Sequence, residues 1–327
     1  MVGAVIIADP EGRGYEFAKG VFEYVSKKEG RDFPVELVHL KRTTFRDGEF
    51  KVKIEKNVRK HNCFIIHDPN KEAGRWVADL LFSLKAAASS SPQEIRVVFP
   101  YFKFARQDRK DESRVGVSAK AVCDILSLYA DGALSVDLHA PQIQEYARSN
   151  FPFDNLSSAP VVAAYLARNR PSLLSSLLSN LTLVSPDLGG GKRLETYQKA
   201  LEKRGISVGL ALGHKTRARE NVVEKVVIIG DVAGKNCLIV DDIIDTGDTM
   251  IKTCEKLKGS ATKIFAYGTF GLFSDGMGKF ESFDGVMTSD AVNLGYRSNV
   301  EIISLVDLFG EAVYRSHIGD SLSDLFN

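Results

Sequence analysis

The chain has 327 residues, of which 44 % are apolar and 26 % charged, and its net charge is +1. That length suits two domains of ordinary size rather than one core. The near-neutral balance gives no global field to recruit nucleic acid or a membrane surface, and no apolar run approaches the ~20 residues that cross a bilayer.

The start, Met1 to Asp9, lacks a basic leader and reads as a first strand at Ala4–Ala8, not a signal peptide. Further apolar, β-branched runs follow at Val35–Leu40, Cys63–His67, Ile95–Pro100 and Ala133–Leu138. A second series runs through Leu181–Ser185, Val208–Leu212, Val226–Ile229, Cys237–Val240, Lys263–Gly268, Gly285–Thr288 and Glu301–Ser304. Helix-period stretches lie between them at Tyr15–Lys28, Arg75–Ala88, Ser118–Tyr129, Pro160–Arg168, Lys192–Lys203 and Thr249–Lys258. The segment 170–180 reads as a helix plus loop. Short strands alternating with helices imply an α/β architecture: two similar doubly wound domains with mainly parallel sheets. Each half carries a strand ending in acids, Asp137 in the first and Asp241-Asp242 in the second, which suggests duplication. The boundary is placed at 155/156, giving domains 1–155 and 156–327, where Asn155, Ser157 or Ser158 offers a helix cap.

Cys63, Cys123, Cys237 and Cys254 stand far apart with no C-x-x-C spacing, mostly inside apolar runs. Buried free thiols in a reducing, cytoplasmic compartment are expected.

Six stretches carry candidate chemistry. Thr43–Glu49 contains Asp47-Gly48, a turn signal. Phe45 offers a stacking face there, and Asp47 and Glu49 offer acceptors. Phe99–Asp111 runs from a strand through aromatics into Arg106, Gln107, Asp108 and Arg109, a set able to hold a purine and its phosphates. In Asp137-Leu-His139, alternation puts Asp137 and His139 on one strand face, toward a metal, a phosphate oxygen or the core. Asp187 precedes three glycines and the cations Lys192 and Arg193, so backbone can approach a diphosphate closely, with Asp187 available to Mg²⁺. Gly213–Asn221 is polar and cationic and reads as a mobile surface loop, either solvated or able to close Lys215 and Arg217 over a phosphoryl group. Last comes Cys237–Thr249, a buried strand ending in Asp241 and Asp242, a loop Asp245-Thr246-Gly247-Asp248-Thr249, and a helix. Such a loop faces an anion with its amides and the helix dipole, while the two acids accept from vicinal hydroxyls.

The pattern Asp241–Thr249 resembles the phosphoribosyl-diphosphate loop of the type I phosphoribosyltransferase fold. With Phe45–Glu49, Ala105–Lys110, Ser118–Lys120, Asp137–Gln144, Ser185–Gly190, His214–Arg217 and the tail Ser321–Phe326, it is similar in order and content to the ribose-phosphate diphosphokinase family over nearly the full length. The resemblance implies transfer of the β,γ-diphosphoryl group of ATP to O1 of ribose 5-phosphate with Mg²⁺ required. It implies that Phe45, Asp47, Gly48 and Glu49 bind adenine across a subunit interface and that Arg106, Gln107 and Asp108 serve ATP. His139 and Asp187 would meet the metal, with Asp137 and Asp154 as further candidates. Lys215 and Arg217 would be catalytic cations. Ribose 5-phosphate would take Arg217, Asp241, Asp242, Asp245, Thr246, Gly247, Asp248 and Thr249. A homo-oligomer is implied, dimer-based, tetrameric or hexameric, with the last ~12 residues packing back on the N-terminal domain.

The chain departs from the family in three places. The segment Glu145–Asp154 is longer and lacks a middle acid, although Asp154 is kept. Asp248 stands where a small residue is usual and is expected to face outward. Ser89–Pro92 reads as a longer loop. A non-catalytic regulatory relative and a base-consuming phosphoribosyltransferase are the competing readings. Intact Lys215, Arg217, His139, Arg106 and Gln107 argue against the first, and the Arg106 and His139 motifs argue against the second.

Overall fold

The apolar runs form two parallel-rich sheets. The computed structural model describes residues 2–28, 30–168, 178, 180–216, 225–293, 295 and 299–326. These residues divide into two units. The first takes Met1–Ser157, Ala291–Asn293 and Leu305–Phe326, and the second takes Ser158–Asp290 and Leu294–Ser304.

In the first unit the strands are β1 (Ala4–Ala8), β2 (Val35–Thr44), β3 (Phe50–Ile54), β4 (Asn62–Ile66), β5 (Glu94–Phe99), β6 (Gly132–Val136) and β7 (Phe153–Leu156). They lie in the order β3-β2-β1-β4-β5-β6-β7. All neighbours are parallel except β2 and β3, which form an antiparallel hairpin at one edge. Helices α1 (Tyr15–Ser26), α2 (Ala73–Ala88) and α3 (Ser118–Tyr129) connect them. The second unit repeats the plan with β8 (Leu181–Ser185), β9 (Gly209–Thr216), β10 (Lys225–Ile229), β11 (Asn236–Ile244), β12 (Lys263–Gly271), β13 (Gly285–Ser289) and β14 (Val300–Ile303). Their order is β10-β9-β8-β11-β12-β13-β14, with the edge pair β9–β10 again antiparallel. Among the described residues its helices include α4 (Ala159–Ala167), α5 (Gly191–Glu202) and α6 (Asp248–Leu257). Adding seven to each strand number converts one order into the other, the signature of a duplicated fold.

Several sequence-based expectations need correction. The hairpin strand β3 lies outside the expected strands, because Phe50-Lys-Val-Lys-Ile54 has no continuous apolar run. The segment around the 155/156 position carries β7 (Phe153–Leu156), in register with β6. Ser158 occupies the cap position of α4 but makes no capping bond. Its hydroxyl lies 2.7 Å from that of Tyr197. A further helix, α7 (Val306–Ile318), was not foreseen; it packs on α1 within the first unit. Phe17 meets Phe309 edge-on at 5.4 Å, and Glu311 accepts from Tyr24, Lys28 and Arg315. The segment 170–180 lies almost wholly outside the described residues.

Each core fills the space between its sheet and helices. Trp76, Phe99 and Phe102 are fully buried in the first, and Tyr267, Phe265 and Leu238 in the second. All four cysteines are free and buried. Burial pushes the thiols of Cys63 and Cys123 up to about 12 and that of Cys237 up to about 11, so they pack as inert apolar groups.

In both units the chain reverses its winding between the first and fourth strands, the switch point where open α/β sheets accept ligands. In the first unit that position is filled from within. Lys71 lies 2.8 Å from Asp9 and 2.7 Å from Asp79, all nearly buried. Asp68 accepts the Gly14 amide at 3.1 Å.

Candidate functional site

In the second unit the loops after β8 and β11 flank the switch point. β11 runs further than the sequence suggests, to Ile244, so Asp241 and Asp242 lie inside the strand and not at its end. Strand alternation then separates them. Asp242 is buried, and Asp241 stays half-open. The chain leaves the strand through Asp245 and Thr246 and reverses at Gly247, whose φ is +78°. Glycine is needed there twice over. The left-handed backbone disfavours a side chain, and a Cβ would sit 2.2 Å from the ring of Phe280. Phe280 is itself buried against Phe273 and Phe283. Helix α6 starts at Asp248 and directs its N-terminus toward the loop. The segment after β12 braces the other side: Ser274 donates its amide to the Asp245 carbonyl and its hydroxyl to the Asp245 carboxylate. Asp248 is exposed and pairs with Lys279 at 3.2 Å, so its side chain faces outward.

Opposite stands the turn after β8. Asp187 caps the short 3₁₀ turn Leu188–Gly190 by accepting the Gly190 amide at 3.1 Å. A Cβ on Gly190 would collide with Ser185 Oγ at 2.2 Å, so the backbone hugs the strand end. Asp187 remains exposed. The third residue of α5, Arg193, reaches across to the acids. Nη1 donates to Asp241 Oδ1 at 2.6 Å and Nη2 to Asp242 Oδ1 at 2.8 Å. Burial first, and then the neighbouring Asp242, push the Asp241 carboxyl up to about 7, against the opposing pull of Arg193.

The basic segment Gly213–Asn221 is corrected in part. Gly213 to Thr216 belong to β9 and pair with β10, with Lys215 opposite Val226. These residues extend beyond the end of β8, because Ser185 pairs with Leu212. The extension passes so close to the Asp187 turn that a Cβ on Gly213 would lie 2.7 Å from the Pro186 carbonyl. The backbone of Lys215 is thus at the ligand end of the sheet. Arg217 lies outside the described residues.

In the first unit, the counterpart of the β9–β10 connection is the β2–β3 turn. Phe45 and Glu49 close it through a 2.7 Å backbone bond, Gly48 takes φ +92°, and Asp47 Oδ1 accepts the Glu49 amide. Phe45 is 50 % exposed at its tip. After β5, the aromatics expected to hold a purine belong to the core instead. Phe99, Tyr101 and Phe102 are buried, and Phe102 packs on Trp76 and Phe153. Apolar area is better buried than stacked on a transient ligand. Only the polar run beyond them is accessible, with Arg106 exposed and Gln107 half-buried. Asp108 is buried; it accepts from Gln142 at 2.5 Å and its carbonyl accepts from Tyr146.

Asp137 and His139 do not share a strand face, because β6 ends at Val136. Asp137 adopts φ +40°, which breaks the alternation. Its amide donates to the Leu156 carbonyl, so β7 fixes this bend. Asp137 is half-buried and His139 exposed. Asp154 lies on β7, 3.9 Å from Arg96, with its carboxyl raised by burial. Among the described residues no three His, Cys, Asp or Glu side chains gather as a metal cluster. No described helix is long and apolar enough to cross a membrane.

Residues 15–129 match the model for the N-terminal domain of ribose phosphate pyrophosphokinase, and residues 205–327 match that for the phosphoribosyl synthetase-associated domain. The chain is 36 % identical to the ribose-phosphate pyrophosphokinase of Chlorobaculum tepidum, covering 89 % of this chain and 88 % of that protein. It is 38 % identical to that of Vibrio parahaemolyticus, covering 86 % and 89 %. The crystal structure of phosphoribosylpyrophosphate synthetase from Mycobacterium smegmatis superposes with a TM-score of 0.83 at 24 % identity, over 97 % of this chain and 99 % of that one, a likeness of fold.

Proposed function

Because the chain belongs to the ribose-phosphate pyrophosphokinase family, we infer that it transfers the β,γ-diphosphoryl group of ATP to O1 of ribose 5-phosphate. The products are 5-phosphoribosyl 1-diphosphate, for nucleotide biosynthesis, and AMP. The observation that supports this most is the loop from Asp241 to Thr249. A left-handed glycine on a buried aromatic floor delivers the chain to the start of α6. Loop amides at a helix N-terminus suit the 5-phosphate, and Asp241 suits the ribose hydroxyls. Asp242, buried and bonded to Arg193, would act through the frame of this site.

In the reaction the O1 hydroxyl gives up its proton to water as O1 attacks the β-phosphorus, and the bond from that phosphorus to the oxygen bridging the α-phosphorus breaks. AMP leaves with that oxygen. Charge spreads over the transferring phosphoryl oxygens and the leaving oxygen, so the work is positioning and electrostatic stabilisation. Lys215, at the ligand end of β9, and Arg217 are assigned to that charge. Phe45 stacks on adenine, with Asp47, Gly48 and Glu49 around its edge, and Arg106 and Gln107 grip the nucleotide while Asp108 holds their loop. The exposed hairpin tip suits a nucleotide site shared with a second copy of the chain, hence a homo-oligomer.

Asp187 presents an exposed carboxylate, a hard oxygen donor of the kind Mg²⁺ takes together with substrate phosphates. His139 is also exposed; Asp137 is half-buried, and Asp154, raised and near Arg96, fits least. When bound, Mg²⁺ would neutralise triphosphate charge. Buried free thiols suit a reducing, cytoplasmic setting.

The test is chromatographic. ATP plus ribose 5-phosphate should give AMP and the sugar diphosphate in equal amounts, and neither when either substrate is omitted. Diphosphate release that needs a purine base would favour a transferase, and binding without turnover a regulatory relative.

A further inference from the structure

We propose that Arg193 is a positioning residue of the pentose site, holding Asp241 aimed and ready to accept the ribose hydroxyls. This rests on the reading of Asp241 as the ribose acceptor. Arg193 forks between two carboxylates that adjoin along one strand, at 2.6 Å to Asp241 Oδ1 and 2.8 Å to Asp242 Oδ1. Asp241 Oδ1 also accepts the amide of Asp242 at 2.9 Å, so two donors on one oxygen fix the carboxylate plane. The side chains are 23 % exposed for Arg193, 20 % for Asp241 and 4 % for Asp242. The buried acid anchors the guanidinium, and the guanidinium aims the accessible acid. A planar fork suits this double grip, whereas a lysine provides only a point charge.

The position of Arg193 in the helix supports the same reading. It lies in the first turn of α5, where the helix dipole disfavours a cation. The turn before it hugs the strand end, as the tight fit of Gly190 against Ser185 shows, and this sets the reach to β11. Facing Asp241 are Asp242 on its own strand and Arg193 on α5. With both acids adjacent and burial raising Asp241, the cation is what keeps an acceptor available near neutral pH.

The experiment is calorimetric binding of ribose 5-phosphate across pH, without nucleotide, for the wild type, Arg193→Gln and Arg193→Lys. Steady-state kinetics are measured in parallel. Wild-type affinity should weaken as pH falls through about 7. Removing a cation this close should move that limb alkaline by about one unit in Arg193→Gln, which alone weakens binding about threefold at pH ~7.5. KM for ribose 5-phosphate should rise in step, while KM for ATP holds. Arg193→Lys should bring the limb back near the wild-type position while affinity stays reduced, since charge is restored without the fork. If Arg193→Gln does not fold, that Lys pattern alone decides. An unmoved limb, or a loss equal at every pH, would overturn the proposal by leaving Arg193 a structural tie. Tighter binding by Arg193→Gln would overturn it too, making the guanidinium a plug. If the wild type itself does not bind ribose 5-phosphate, the reading of the loop fails, and this inference with it.

Discussion

Gly247→Ala perturbs the loop assigned to the sugar phosphate at its tightest point. A methyl there must adopt φ near +78° and sit 2.2 Å from Phe280. The left-handed backbone costs an alanine about 1–2 kcal/mol. Forcing an extra methyl into packed surroundings costs about 1–3 kcal/mol. Phe280 cannot swing clear, because Phe273 stands edge-on at 5.3 Å and Phe283 lies 5.7 Å away. The sum, about 3 kcal/mol, corresponds to a fall of roughly 6–12 °C in the melting of the second unit. The loop will relieve part of the strain by moving, so KM for ribose 5-phosphate should rise about tenfold or more with little change in KM for ATP. Differential scanning calorimetry and steady-state kinetics check both. Adding Phe280→Leu should remove the clash but leave the backbone cost, returning about half of the lost stability. A Gly247→Ala protein that melts within about 1 °C of wild type and keeps KM within about twofold would mean that neither the backbone strain nor the Phe280 clash is felt at this turn.

Two further outcomes follow from the same structure. Lys215→Ala should lower kcat by at least ~10³, about 4 kcal/mol of barrier stabilisation, and a variant within about tenfold of wild type removes the residue from the chemistry. His67 is buried, its Nε2 bonded to the Trp76 carbonyl at 2.9 Å, and burial first and then Lys71 lower its pKa to about 3. The folded chain therefore refuses a proton that the unfolded chain accepts. Its contribution is intact above the ordinary histidine value and is lost as pH falls from about 6.5 toward about 3. The slope is about 1.4 kcal/mol per pH unit, so denaturant titrations of His67→Gln between pH ~4.5 and ~6.5 should show a shallower fall than wild type; parallel curves would exclude the effect.

The buried strands were legible because each is a short apolar run, and β1 and β8 begin and end where the pattern does. The edge strand Phe50–Ile54 was missed although its alternation of lysines with apolar residues has the period of an exposed strand, because it lacks the continuous apolar run that marks the buried ones. The loop at Gly247 was legible because acids, a glycine and a helix-period stretch occur in sequence. The burial of Asp242 was not, because the strand runs on to Ile244 and only its full length sets which acid faces inward. The aromatics at 99–102 look alike in a sequence whether they stack on a ligand or on Trp76. Three-dimensional neighbours decide, and they chose the core. A left-handed Asp137 is rare for a residue with a side chain, so strand alternation was a fair expectation that the bend overrides. Arg193 did leave a trace: a cation in the first turn of a helix opposes the dipole and invites a search for its acid.

The Asp9–Lys71–Asp79 ion pairs, with Asp68 beside them, leave the two copies of the fold unequal room at their switch points. Where the first unit could have received a guest, the chain inserted its own side chains: Asp68 already accepts the Gly14 amide, and a methyl on Gly12 would meet its other oxygen at 2.4 Å. A visiting anion would have to evict a resident carboxylate and strand Lys71 between altered neighbours. Doubling the scaffold therefore need not double its occupancy.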